Sequence, residues 1–198
     1  MGQIFTYRTG ADGLVIPAPP KGLFDALAAL TARSSAPQGT GNGLAAALSP
    51  ALLSAWTEIP GARLQVCLAE EANIAFALYY LNDASLPDSV KGIAAAAQNI
   101  RPFAYAHLIV VDPEYRGRER NLYARLLEAA REELPPELTC VLCWVRLENE
   151  LALRAHVAHG WVRTGAGEPM EIGGRAFPSE YLVRPLLWER DRILAELA

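Results

Sequence analysis

Residues 103–127, FAYAHLIVVDPEYRGRERNLYARLL, change their hydrophobic period once, and that change decides the fold. The run AYAHLIVV (104–111) is the strongest strand signal in the chain, and Asp112-Pro113 stops it. From residue 120 to 134 the apolar positions return at helical spacing. Leu122, Leu126, Ala129 or Ala130, and Leu134 make one stripe, which Pro135-Pro136 ends. Between strand and helix stand Arg116-Gly117-Arg118, and Arg120 is the third arginine in five residues. Backbone N–H groups at a helix N-terminus lack intrahelical acceptors, so such a loop suits an anionic phosphate, and arginines add charge-assisted donors. A solvated helix start can carry the same letters.

Upstream, 4–9 reads as a strand closed by Gly10 and the turn ADG, and 23–33 as a helix on Leu23, Leu27 and Leu30. Ser49-Pro50 is a helix start, with serine as cap and proline in the first turn. Residues 64–69 and 74–81 are β-runs joined by the turn EEAN, hence a hairpin. SSAPQGTGNG (34–43) reads as a flexible loop, and 82–102 as irregular with a short helix in GIAAAAQ. Downstream come a strand at 139–145, a helix at 150–158, Gly160 as its stop, strands at 161–165 and 180–187, and a helix in WERDRILAEL. This order defines an α/β fold: helices covering a mixed sheet of about seven strands, with four or five helices in one domain over 1–198.

The chain of 198 residues has a net charge of −4, which argues against a nucleic-acid-coating protein. No apolar run approaches the roughly 18 residues of a membrane span, and MGQIFTYRTG has no signal-peptide pattern, so a cytoplasmic protein is expected. Cys140 and Cys143 are spaced as C-x-x-C but lie on a strand. Residues three apart there face opposite ways, so two separate buried thiols are expected. His156 and His159 share a helix face, yet no carboxylate completes a ligand set with them and His107, and no metal is expected.

Residues 149–161, NELALRAHVAHGW, resemble a hallmark of the GNAT superfamily of acyl-CoA N-acyltransferases: an asparagine, an aromatic-type residue seven on, then glycine and an aromatic. Asn149, His156, Gly160 and Trp161 occupy those places. A narrower resemblance is to one branch of that superfamily. It carries FAY-V-D-R-I-V-V, an R-G-R-G loop running into LYA, F-H-x-x-L-G-F, and Y-L-x-R-P-L. This chain has FAYAHLIVV (103–111), LYARLL (122–127), AHVAHGW (155–161) and YLVRPL (181–186) in that order. The resemblance covers most of the chain and is clearest over 103–187.

The phosphate loop departs from the superfamily's R-x-x-G-x-G/A pattern. Counted without gaps, Glu119 and Asn121 replace its two small residues, and Ala124 and Glu128 fall where the helix needs core positions. Burying an unpaired glutamate is costly. Matching Leu122-Tyr123-Ala124 to L-Y-A instead keeps Leu122 and Leu126 inward and makes the loop two residues shorter.

The resemblance implies transfer of an acetyl or other acyl group from acyl-CoA to a small-molecule amine. Its implied cofactor contacts are the backbone at Ile109, Val110 and Val111, the loop residues Arg116, Gly117, Arg118, Glu119, Arg120 and Asn121, and Asn149. His156 takes the place of a tyrosine that protonates the leaving thiolate in many members, or else it packs near the helix end. His107 replaces an acidic residue and reads as base, substrate contact or core histidine. Tyr105 shares its face and reads as a water relay or as packing. The altered loop leaves a second reading, a GNAT-fold binding or interaction module with weak or no acyl-CoA binding. A homodimer is compatible with the fold, though no sequence feature supports one.

Overall fold

Strands with apolar residues on both faces need cover on both sides, and the helices supply it in two pairs. The computed structural model describes residues 2–35, 44, 46–69, 72–81, 102–116, 121–165, 167–172 and 174–186. Its strands are β1 (Gln3–Thr9), β2 (Val15–Ile16), β3 (Ala62–Ala69), β4 (Ala72–Tyr80), β5 (Phe103–Val111), β6 (Cys140–Arg146), β7 (Val162–Arg163), β8 (Met170–Ile172), β9 (Arg175–Phe177) and β10 (Ser179–Pro185). The helices are α1 (Leu23–Ser34), α2 (Pro50–Thr57), α3 (Leu122–Glu133) and α4 (Glu150–Ala158), with a 3-10 turn at Pro113–Tyr115.

The main sheet runs β2-β1-β3-β4-β5-β6-β10-β7, and β8-β9 forms a separate hairpin. All pairings are antiparallel except β5 with β6, which α3 connects. The sheet thus has eight strands where about seven were expected. The eighth strand is β2, and β8 and β9 lie outside this sheet; all three are two or three residues long, too short to show a period in sequence. The expected 34–43 loop falls largely outside the described residues, as do part of EEAN, the 82–102 segment with GIAAAAQ, and the WERDRILAEL helix.

Leu23, Leu27 and Leu30 of α1 and Leu53 of α2 pack with Phe76, Leu78, Tyr80, Phe103 and Tyr105 on one face. Leu122, Leu126, Leu127 and Ala130 of α3 and Leu153 of α4 cover the other. There the sheet presents Ala75, Ala77, Ala104 and Ala106, small residues that let α3 lie close. Cys140 belongs to the first cluster and Cys143 to the second, as strand alternation requires. Ser49 caps α2, its Oγ accepting from the Leu52 N–H at 3.2 Å.

The phase of α3 agrees with the shorter loop: Leu122 and Leu126 are buried, while Glu128 keeps 58 % of its side chain exposed. The helix ends one residue earlier than expected, at Glu133, and Leu134, though extended, still packs against the same core. This phase predicts that Leu126→Ala lowers stability by about 2–5 kcal/mol through cavity formation, whereas Glu128→Ala stays within about 0.5 kcal/mol. Urea unfolding of the two variants measures the contrast.

Candidate functional site

β5 and β6 share only four paired positions, Phe103 to Ala106 against Cys140 to Cys143. Beyond Ala106 the two strands separate. The cause lies in the β4-β5 register, where Leu78 faces Leu108 and Tyr79 faces Ala106, so that His107 is an inserted residue. Such a bulge bends its strand and resets side-chain alternation. Tyr105 and Leu108 consequently pack on the same face, and Val110 follows them.

The same ladder shows where the backbone points. Asp112 N–H donates to the Ile74 carbonyl on β4 at 2.8 Å. Alternation along an antiparallel pair then turns the N–H and C=O groups of Val111 and Ile109 away from β4, into the gap left by β6. The Val111 carbonyl is found on that side, accepting from Arg116 Nε at 3.1 Å and from Ser34 Oγ at 3.4 Å. Arg33 clamps the end of the strand: its Nε and Nη2 reach Asp112 Oδ2 at 2.9 and 2.7 Å, while Asp112 Oδ1 accepts from Glu114 N–H.

The gap opens into a cavity of about 590 Å³. Ile109, Val110, Val111, Arg116, Asn121, Asn149 and His156 all line it, so the structure brings together most of the residues expected to hold a cofactor. Gly117, Arg118, Glu119 and Arg120 lie outside the described residues. The N-termini of α3 and α4 both meet this cavity. Asn149 caps α4, its Oδ1 accepting from Ala152 N–H at 3.2 Å. Asn121 caps α3 in the same way through Ala124 N–H at 3.1 Å, with φ 58° and ψ 60°. That left-handed conformation suits glycine first and asparagine next. Asn121, counted in sequence as the loss of a small residue, therefore does the backbone work of one.

His156, read from sequence as an acid or as a packing residue near the helix end, lines the cavity. It is 7 % exposed, and its Nδ1–H donates to the Ala152 carbonyl at 2.7 Å. Burial, reinforced by His159 and only partly offset by Ala152, pulls its pKa down to about 4. At neutral pH the ring therefore carries a lone pair on Nε2 and has no imidazolium proton to give a thiolate. The sequence showed the position but not the depth of burial.

His107 and Tyr105 do not line the cavity. They lie on the α1-α2 face, where the His107 ring sits 4.4 Å from Trp56, 5.6 Å from Tyr80 and 5.7 Å from Tyr105. Among the described residues neither His107 ring nitrogen meets a hydrogen-bond partner, and burial lowers its pKa to about 4. Burial also raises the Tyr105 pKa far above that of a free phenol.

Two residues at the cavity were not singled out from sequence as cofactor contacts. Tyr123 was read only as part of the LYA match. Its ring lies between His156 and His159, at 5.3 and 5.1 Å. Its buried hydroxyl makes no hydrogen bond of good geometry, although the Trp161 indole N–H lies close enough to act on it electrostatically. His159, weighed only as a metal ligand, meets Asn121, with Asn121 Nδ2 at 3.0 Å from its Nε2. Among the described residues no His/Cys/Asp/Glu group could hold a metal, and no helix is long and apolar enough to cross a membrane.

Residues 41–161 match the Acetyltransferase (GNAT) family, and the chain belongs to that family. No curated protein matches the whole sequence significantly. In three dimensions the chain is similar to the ribosomal-protein-S18-alanine N-acetyltransferase from Escherichia coli, with a TM-score of 0.59 at 16% identity, covering 93% of this chain and 94% of that one. It is similar to an N-acetyltransferase from Staphylococcus aureus Mu50, with a TM-score of 0.58 at 14% identity, covering 93% and 97%. It also resembles yncA from Salmonella typhimurium, solved with its cofactor acetyl-CoA, with a TM-score of 0.55 at 16% identity over 94% of both chains. At these identities the likeness is one of fold.

The His156 environment has a measurable consequence. A histidine whose folded pKa lies below its unfolded 6.5 contributes stability that is fully present above pH 6.5 and is lost as pH falls toward 4. For His156 the loss between pH 7 and 4 is on the order of 3 kcal/mol. Histidine-resolved NMR should show its ring still neutral at pH 5.5, and His156→Gln should flatten part of the acid limb in denaturant titrations.

Proposed function

We propose that this chain is an N-acyltransferase that moves an acetyl or other acyl group from acyl-CoA to a small-molecule amine. The observation that carries the reading is the gap between β5 and β6, into which the Ile109 and Val111 amides turn. An elongated ligand carrying amide groups and a terminal diphosphate fits the surroundings. Ile109, Val111, Leu122, Leu151 and Ala152 give it apolar walls, the strand offers backbone donors and acceptors, and two helix N-termini meet it.

Bound acyl-CoA would supply an activated thioester carbonyl. In this reading Ile109 and Val111 hold the pantetheine arm by its amides, and one of their N–H groups polarises the carbonyl oxygen. The α3 N-terminus, with Arg116, faces the phosphates. His156, neutral and hydrogen-bonded through Nδ1, offers Nε2 as an acceptor beside the arm. The acceptor amine approaches from the α1-α2 face, where His107 presents one N–H and one lone pair within aromatic walls. An ammonium must lose a proton before it attacks. With a pKa of about 4, His107 takes that proton only in passing and gives it up to solvent water. The second proton, lost as the amide forms, goes with the departing CoA thiol, and Tyr105 packs near the His107 ring.

Titration calorimetry with acetyl-CoA and with CoA should give saturable heat, and each ligand should raise the thermal midpoint. A panel of primary amines should then release free thiol from acetyl-CoA. No heat and no thermal shift at millimolar ligand would leave the binding-module reading standing. Ala155→Trp, which fills the cavity from α4, should weaken CoA binding by more than about tenfold, the equivalent of one lost contact set of 1.4 kcal/mol, without unfolding the chain.

A further inference from the structure

Asn121 makes two contacts, and the first fixes the chemistry of the second. Its Oδ1 accepts from Ala124 N–H, so the atom facing His159 must be the amide nitrogen, a donor. His159 Nε2 must then be an acceptor, which places the ring proton on Nδ1. The pair joins the left-handed cap of α3 to the C-terminal end of α4, and both residues line the cavity. The His159 ring is tilted only 30° from Tyr123 at 5.1 Å, and Tyr123 in turn contacts His156. One polar contact and two ring contacts thus connect the start of α3 to the α4 side of the site.

We propose that His159 is a pH-sensitive positioning residue. Its neutral ring accepts from Asn121 and so holds the α3 N-terminus in the geometry that receives acyl-CoA, and protonation releases that hold. The inference rests on the acyl-CoA reading above. It does not require His159 to touch the ligand. An imidazolium has no lone pair, so its Nε2–H would meet the Asn121 N–H groups head-on. Asn121 cannot turn its amide over without giving up Ala124.

The groups that act on His159 from the packed elements are Tyr123 and Asn121 on α3, His156 on α4 and Arg184 on β10. Partial burial and the Arg184 charge both favour the neutral ring, so the latch is closed at neutral pH and opens below pH 6.5. Arg184 also meets the Glu128 carboxylate of α3 at 3.4 Å, and among the described residues the two influences that shift His159 are burial and Arg184.

The test uses the full chain and CoA as probe, comparing wild type with His159→Gln and His159→Phe. Glutamine offers an acceptor oxygen that does not titrate, and phenylalanine keeps the ring contact without an acceptor. A hydrogen bond of ordinary strength makes the expected effect about two- to tenfold in Kd. Wild-type affinity should fall toward that limit as pH is lowered from 7.5 into the range below 6.5. The glutamine variant should bind at near wild-type strength at pH 7.5 and lose less on acidification, and the phenylalanine variant should be weaker throughout that range. Comparing variants at each pH cancels titration of the CoA phosphates.

Separately, 15N-resolved histidine NMR of the free wild type should show the Nδ1–H tautomer at His159. Identical pH profiles for wild type and His159→Gln, or an Nε2–H tautomer, would overturn the proposal. If no variant binds CoA at any pH, the acyl-CoA reading fails and the cofactor role of the latch with it, while the tautomer still decides whether the Asn121 contact exists.

Discussion

A single inserted residue organises the molecule. With His107 accommodated between Ala106 and Leu108, β5 keeps its ladder with β4 but loses β6 after four paired positions. In a continuous sheet the Ile109 and Val111 amides would be satisfied by the neighbouring strand. Here they turn toward a cavity instead. Unpaired backbone groups in a sheet interior are costly, so the separation persists only where other contacts hold the strand end. Arg33 on Asp112, and Arg116 with Ser34 on the Val111 carbonyl, are those contacts. They tie α1 and the turn after β5 to one point, and that point sets the mouth of the site.

The bulge also explains how two histidines on either face of the sheet come to occupy different chemical compartments. His107 reports to the α1-α2 face and His156 to the α3-α4 face, with the separated strands between them. Both are neutral at physiological pH because burial disfavours the imidazolium, and they differ in what they can exchange. His156 spends its one proton on Ala152 and is left an acceptor. His107 has neither nitrogen committed to a partner among the described residues.

Much of the fold was legible because its signals are local. The period change at Asp112-Pro113, the Ser49-Pro50 start and the Leu122-Leu126 stripe each follow from residues within one or two turns. The three-residue strands β8 and β9 were not, because nothing that short carries a period. At the site, the positions of Ile109 to Val111, Asn121 and Asn149 were legible through the family pattern. The state of His156 was not, because its neutrality comes from Tyr123 and Trp161 packing around it, a contact between separate elements. His159 stayed hidden for the same reason. Its partner is 38 residues away in sequence.

The loop that looked most damaged in sequence bears differently on the site once its end is placed. A family pattern asks for small residues there because the backbone must adopt unusual angles and lie close to a ligand. At Asn121 the first requirement is met by the residue type that tolerates positive φ best after glycine, and its side chain adds a cap that glycine cannot supply. The second requirement falls largely on main-chain groups, the β5 amides and the helix starts, whose positions depend on register rather than on side-chain identity. Recognition built on the backbone can survive sequence drift as long as the bulge, the caps and the strand-end clamp persist. In this chain those features lie in residues whose side chains hold backbone in place: Asp112, Asn121 and Asn149.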